Sequence, residues 1–110
     1  MEAVKIQFDG YPEDFVREYT QAHNLKFLDS GAFGSVYTYR GSQHRRRVVK
    51  AIILQTKDAD DDGYLAYFKQ VILKQQDNPF VPRIYNIEAY RFVSKLGSEH
   101  LVYFIEMERL

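Results

Sequence analysis

A short glycine-containing segment is the first feature of this sequence that could do chemistry. Residues 30–37 read SGAFGSVY, with Gly31 and Gly34 on either side of Ala32 and Phe33. Because glycines carry no side chain, they let backbone N–H groups close around phosphate oxygens, so such a segment can cradle a phosphate. A tight hairpin turn between two strands has the same composition. Both interpretations stay open on these residues alone.

A lysine lies on the predicted strand that follows the glycine segment. Lys50 comes sixteen residues after Gly34 and ends the run Arg47-Val48-Val49-Lys50. A lysine on a strand beside a phosphate cradle would hold the phosphate by charge. The alternative is an exposed strand lysine without a functional role.

Periodicity and turn residues predict the elements that would position these residues. Pro12, Glu13 and Asp14 predict the start of a helix that continues to about Asn24. Alternation of apolar and polar residues predicts strands, and a helical spacing follows an aspartate-rich loop. The predicted strands span 25–28, 35–40, 48–54, 83–93 and 99–107, and the second helix spans 64–76. One helix inserted among antiparallel hairpins predicts an α+β domain.

Composition narrows the classes of function. Lys plus Arg and Asp plus Glu number 15 each, so no net charge attracts nucleic acid or an anionic membrane. The lack of Cys excludes disulfides, thiolate metal sites and thiol nucleophiles. No segment reads as a signal peptide or as the ~20 apolar residues of a membrane span. We therefore expect a cytoplasmic protein with neither nucleic acid nor membrane as its partner.

Four segments in order resemble the small lobe of the protein kinase family. The glycine segment is similar to the family's G-x-G-x-x-G-x-V loop, and the run ending at Lys50 is similar to its V-A-I-K strand. Residues 78–81, NPFV, resemble the turn into the fourth kinase strand, and residues 104–110, FIEMERL, resemble the fifth strand and hinge. The resemblance covers residues 25–110. It implies a five-stranded antiparallel sheet with an αC-type helix, preceded by an N-terminal extension, residues 1–24, with an extra short helix.

The resemblance implies ATP with Mg²⁺ as the cofactor and assigns a nucleotide-binding set. Its members are Gly31, Ala32, Phe33, Gly34, Val36, Lys50, Met107, Glu108 and Leu110. Val36 would cover the adenine and Lys50 would hold the α- and β-phosphates. Met107 would be the gatekeeper, while Glu108 and Leu110 would offer the carbonyl and N–H that contact the adenine edge. No catalytic residue or metal ligand is assigned, because the family keeps those in its large lobe. The chain alone is therefore expected to bind ATP weakly and to transfer no phosphate.

The sequence departs from the kinase pattern at three positions. Asp29 replaces the first glycine, Val48 replaces a small alanine, and Lys69 stands where an αC glutamate would pair with the strand lysine. No Glu occurs between residues 51 and 87. Either an aspartate from residues 58–62 substitutes, or Lys50 is held differently, or the site is not catalytic.

A narrower resemblance is to the atypical serine/threonine kinases of short-tailed bacteriophages. Residues 47–50, 61–63, 65–68 and 82–87 are similar to segments of those proteins. This implies a kinase-type ATP-binding small lobe acting in a host cytoplasm, with a large lobe or a host protein as its partner. The alternatives are a stand-alone small-lobe mimic that binds and inhibits a host protein, and a small interaction domain without nucleotide.

Two surface features complete the expectations. An open lower face lined by aromatic and aliphatic side chains would favour self-association. The basic run at residues 44–47, HRRR, reads as a solvated hairpin end or as a docking patch for an acidic partner.

Overall fold

A single sheet organises the chain. The computed structural model describes residues 3–31, 34–41, 44–57 and 63–109, with the backbone alone for residues 63 and 64. The strands are β1 (Val4–Lys5), β2 (Leu25–Gly31), β3 (Gly34–Tyr39), β4 (Arg47–Gln55), β5 (Ile84–Val93) and β6 (Glu99–Glu108). They lie in the order β1-β5-β6-β4-β3-β2. All neighbours are antiparallel except β1 and β5, which are parallel.

The α+β class is confirmed, but the predicted five-stranded antiparallel sheet is wrong in its strand count. The five expected strands are present, and β1 adds a sixth that makes the sheet mixed. Val4 lies opposite Tyr90, and the Ile6 N–H donates to the Arg91 carbonyl at 2.9 Å. A strand of two residues has no measurable alternation, so periodicity could not predict it.

The first helix, α1 (Pro12–Ala22), packs on one face of the sheet. It ends two residues before the predicted Asn24, which instead adopts a left-handed φ of 56° just beyond the helix. Asparagine tolerates this conformation and often ends helices in it. Val16 is buried in this core, together with Phe92 and Phe104 of the sheet.

The second helix covers the opposite face and is irregular. It begins as α2 (Gly63–Tyr67), continues as a π-helix (Phe68–Ile72) and ends as a 3₁₀ turn (Leu73–Gln75), rather than as the predicted regular helix. Leu65, Phe68 and Ile72 are all at most 4% exposed and pack in one core with Ile52 and Ile105. α and π turns both bring this spacing to one face, so the periodicity could not distinguish them.

Strand β4 separates the two cores and determines which way Lys50 faces. Val49 and Ala51 belong to the core under α1, while Ile52 belongs to the core under α2. Because successive strand residues alternate between faces, Val48 and Lys50 share the α2 side of the sheet with Ile52. The predicted phosphate-holding lysine therefore lies on the same side of the sheet as the second helix.

Candidate functional site

A cavity of about 540 Å³ lies on the α2 side of the sheet, at the end of the strands near the β6 terminus. We call it the central cavity. Its lining residues are Leu28, Asp29, Val36, Val48, Lys50, Pro82, Met107, Glu108 and Arg109. Four of the predicted nucleotide-binding residues are among them, and they come from three different strands: Val36, Lys50, Met107 and Glu108.

Strand register explains why these side chains converge. Val36 of β3 lies opposite Lys50 of β4, and Val48 of β4 lies opposite Met107 of β6. Opposed residues in an antiparallel pair project to the same face, with Cβ atoms about 5 Å apart. Val36, Val48 and Met107 thus form an apolar wall, and Lys50 follows next along the same face of β4.

Gly31 ends β2 and Gly34 begins β3. Gly31 and Gly34 form the last pair of the β2–β3 ladder. Ala32 and Phe33, also predicted to bind nucleotide, lie outside the described residues. Gly34 has a φ of +113°, and a Cβ there would lie 2.2 Å from the Ala51 carbonyl oxygen. A Cβ on Gly31 would meet nothing within 4 Å.

The predicted hinge is tied to both neighbouring segments. The Glu108 N–H donates to the Arg83 carbonyl at 2.8 Å, and the Arg109 N–H donates to the Arg46 carbonyl at 2.7 Å. The Glu108 N–H is therefore already used in a hydrogen bond. The prediction for this residue concerns its carbonyl, which would accept a hydrogen bond from the adenine. Leu110, the other residue predicted to contact adenine, lies outside the described residues.

The charges around Lys50 are mixed. Lys50 is half-buried, and Asp29 lines the same cavity. The Asp29 carboxylate also accepts a hydrogen bond from the Ser30 N–H at 2.8 Å. Lys69, at the position predicted to correspond to the αC glutamate, places its ammonium 6.0 Å from the centre of the Tyr103 ring. The aspartates at 58–62, proposed as substitutes for the αC glutamate, lie outside the described residues.

Sequence reasoning missed three lining residues, Leu28, Pro82 and Arg109. A β-bulge brings Asp29 to the cavity beside Leu28: Phe27 lies opposite Tyr37 and Asp29 opposite Val36, so Leu28 is the extra residue. Simple alternation would have placed Leu28 and Asp29 on opposite faces. No signal in the sequence identifies the bulge, whereas the proline at 82 could have been noticed as the residue leading into the fourth predicted strand.

A cluster of polar side chains on the α1 side of the sheet links α1 to the strands. The Tyr19 hydroxyl donates to Glu88, and the Tyr39 hydroxyl donates to Glu106 at 2.8 Å. Burial, followed by these hydrogen bonds to carboxylates, raises the pKa of Tyr19 and of Tyr39 well above the ordinary range. Arg47 also binds Glu106, at 2.8 Å. These groups join α1, β3, β4, β5 and β6 and do not line the central cavity.

A cavity of about 470 Å³ near β1 is lined by residues 5–9 and by parts of β5 and β6, away from the predicted site. Within the described ranges, no three His, Asp or Glu side chains cluster closely enough to hold a metal ion. No helix in the described part of the chain combines the length and apolar character needed to cross a membrane.

Comparison with known proteins found no match among family models, curated proteins or solved structures.

Proposed function

We propose that the chain is a kinase-type ATP-binding small lobe, of the kind found in the atypical serine/threonine kinases of short-tailed bacteriophages. One observation carries the proposal. Residues assigned to nucleotide binding from separate sequence segments line a single cavity: Val36, Lys50, Met107 and Glu108.

The proposed binding mode follows from the chemistry of the cavity. The adenine ring would lie against the apolar wall of Val36, Val48 and Met107. Val48 is 8% exposed, and Val36 and Met107 are more exposed, so a ligand can contact all three side chains. The triphosphate would extend along β4 toward Lys50, beneath the glycine turn. Mg²⁺ would enter on the triphosphate oxygens, because phosphate-bound Mg²⁺ needs few protein ligands and keeps several waters.

Asp29 is the feature that opposes this binding mode. Its carboxylate lies where the first glycine of a kinase loop would be and lines the cavity that the phosphates would enter. A carboxylate near a phosphate weakens binding by like-charge repulsion, although solvent reduces the effect at this open site. The cavity therefore holds one charge that favours a triphosphate and one that disfavours it.

Two substitutions with opposite expected effects test the proposal. Titration of MgATP into the full chain, followed by calorimetry or by amide NMR shifts, gives the dissociation constant. Lys50→Gln should weaken binding about tenfold, since it removes a charged contact to phosphate. Asp29→Asn should strengthen it by about threefold, because the Oδ1 acceptor for Ser30 remains while the repulsion is lost.

Lys95→Gln is the matched control, since Lys95 is an exposed lysine in the β5–β6 turn. It should leave the constant unchanged. The proposal fails if Lys50→Gln and Lys95→Gln have equal effects, or if MgATP shifts no amide around the central cavity.

A second candidate function, a small-lobe mimic that binds and inhibits a host protein, is favoured by one observation. Phe80 is 92% exposed, in the turn that leads through Pro82 to the rim of the central cavity. An exposed aromatic ring can serve as an anchor that enters a pocket of a protein partner. Affinity capture from host lysate would separate the candidates: Phe80→Ser should abolish capture of a partner by the mimic, whereas Lys50→Gln should leave it intact.

A further inference from the structure

A second, smaller pocket on the same face of the sheet is rich in cations. It has a volume of about 260 Å³ and lies beside the central cavity, further along β3. Its lining includes Lys26 of β2, Thr38 of β3, His44 and Arg45 of the β3–β4 turn, and Arg109 beyond β6. We call it the basic pocket. Arg109 lines both cavities, so the two adjoin at that side chain.

The Thr38 hydroxyl is the most informative group in the basic pocket. Thr38 is 7% exposed, and its Oγ1 is buried with no hydrogen-bond partner among the described residues. A buried hydroxyl without a partner is costly, so native proteins rarely keep one unless a ligand or a water satisfies it. Strand register places Lys26 directly opposite Thr38, and therefore on the same face.

Two arginines of the basic run at residues 44–47 have different surroundings. Arg47 is engaged away from the pocket: its guanidinium binds Glu106 at 2.8 Å and lies 3.9 Å from the centre of the Tyr85 ring. Arg45 instead lines the basic pocket, joined there by Lys26 and Arg109. No Asp or Glu is among the pocket's described lining residues. Three formal positive charges thus concentrate at one place on a chain whose net charge is zero.

We propose that the basic pocket binds a phosphate group, either as the free ion or as a phosphate monoester. The Thr38 hydroxyl donates to one phosphate oxygen, and Lys26, Arg45 and Arg109 donate to the others. A phosphate suits this set better than a carboxylate does. It carries close to two negative charges and at least three strong acceptor oxygens, which matches three cations and a hydroxyl donor.

This inference goes beyond the proposed ATP site and does not depend on it. The phosphates of a nucleotide in the central cavity would lie toward Lys50, which comes two residues after Val48 on β4. Thr38 of β3 lies opposite Val48 of β4, whereas Lys50 lies opposite Val36. Thr38 is therefore farther than Val36 from the end of the cavity where Lys50 would hold the phosphates. The basic pocket therefore lies beyond the adenine end of the proposed nucleotide, not at its phosphate end.

The test is a titration of the full 110-residue chain with sodium phosphate against sodium chloride at matched ionic strength, followed by amide NMR. Phosphate should produce saturable shifts at Thr38, Arg45 and Arg109, and chloride should not. Titration with phosphoserine, a monoester, then distinguishes the two sources. Tighter binding of phosphoserine indicates a phosphate ester as the ligand, and equal or weaker binding indicates the free ion.

Variants assign the contacts. Lys26→Gln should raise the phosphate dissociation constant about tenfold, and Thr38→Val, which keeps the side-chain shape, should raise it about threefold. Thr38→Val should also keep or raise the melting temperature, because it removes a buried hydroxyl that lacks a partner. That combination of weaker binding with undiminished stability separates a ligand-binding hydroxyl from one that only supports the fold.

A matched control defines the results that would overturn the proposal. Lys95→Gln should leave the phosphate shifts at Thr38, Arg45 and Arg109 unchanged. Phosphate shifts spread evenly over the basic residues, or equal losses in Lys26→Gln and Lys95→Gln, would each overturn it. An unchanged dissociation constant in Thr38→Val would do the same.

Discussion

The two glycines that close the turn between β2 and β3 face different surroundings. A Cβ on Gly34 would lie 2.2 Å from the Ala51 carbonyl oxygen, and the φ of +113° is strained for any other residue. Gly31 has open space around its Cα and no positive φ. The fold itself therefore requires a glycine at position 34 and not at position 31. Since the fold does not require a glycine at position 31, close approach of a phosphate to the backbone is a reason for glycine there.

Gly34→Ala should destabilise the fold strongly, and Gly31→Ala should not. Alanine at 34 incurs the left-handed backbone penalty and a clash with the β4 backbone, which together cost about 3 kcal/mol. At position 31 the expected change is within about 0.5 kcal/mol. Urea unfolding of both variants measures this difference. If Gly31→Ala also weakens MgATP binding, the turn contacts the phosphates; equal stability losses would contradict the assignment of Gly34.

At the residue scale, sequence spacing identified much of the central cavity and missed the part made by irregular backbone. Val36, Lys50 and Met107 lie on regular strands, so motif spacing and register agreed on where they would meet. Leu28 was not predicted; it is the extra residue of a bulge that places Asp29 opposite Val36, so that both Leu28 and Asp29 line the cavity. A bulge depends on how two strands pair, and a single strand's sequence does not carry that information.

At the scale of elements, Tyr19 is one of the residues that hold α1 against the sheet, and it does so with both its ring and its hydroxyl. The Tyr19 ring stacks on Phe104 with centroids 3.6 Å apart, and its hydroxyl donates to Glu88. Burial and then this hydrogen bond raise the pKa of Tyr19, so the folded protein keeps the phenol protonated at a pH where the unfolded chain ionises it. The contribution to stability is complete below the unfolded pKa of about 10 and decreases above it.

Tyr19→Phe should therefore cost stability at neutral pH and less at alkaline pH. Loss of the hydrogen bond to Glu88 costs about 1 kcal/mol at pH 7. At pH 11 the cost should be about 1 kcal/mol smaller, because only the wild-type chain gains from ionising Tyr19 when unfolded. Denaturant unfolding at both pH values measures it. Tyr67→Phe, at a ring that is 53% exposed, is the matched control and should change stability by less than about 0.5 kcal/mol at either pH. A cost of Tyr19→Phe that grows with pH would contradict the burial argument.

Elements that the sequence predicted well share a strong period, and those that it missed lack one. Strands β4, β5 and β6 were placed within two residues of their observed ends. Strand β1 has two residues and is set by its neighbour: Ile6 binds the Arg91 backbone, and Phe8 packs against Phe92. The π-helical turn in the second helix was also not predictable, because the same three buried residues fit either geometry.

At the scale of the whole molecule, the two faces of the sheet differ in how they are covered. The α1 face carries a helix, the N-terminal segment and a cluster of aromatic rings, including Phe8, Phe15 and Phe92. The α2 face carries a helix over only part of its surface and leaves the central cavity beside it. Within the described residues, the walls of that cavity come from one side of the sheet together with Pro82, Glu108 and Arg109.

This one-sided cavity predicts weak nucleotide binding by the 110-residue chain. A purine lying on Val36, Val48 and Met107 would have one ring face covered and the other in solvent, so it would bury only part of its apolar surface. Asp29 reduces the charge attraction from Lys50. We therefore expect a dissociation constant in the high-micromolar to millimolar range, about −4 to −5 kcal/mol. Calorimetry with MgATP measures it, and higher salt should weaken binding further because the charges are exposed. A sub-micromolar constant would mean that the nucleotide is enclosed on both faces, which contradicts a site formed by one side of the sheet.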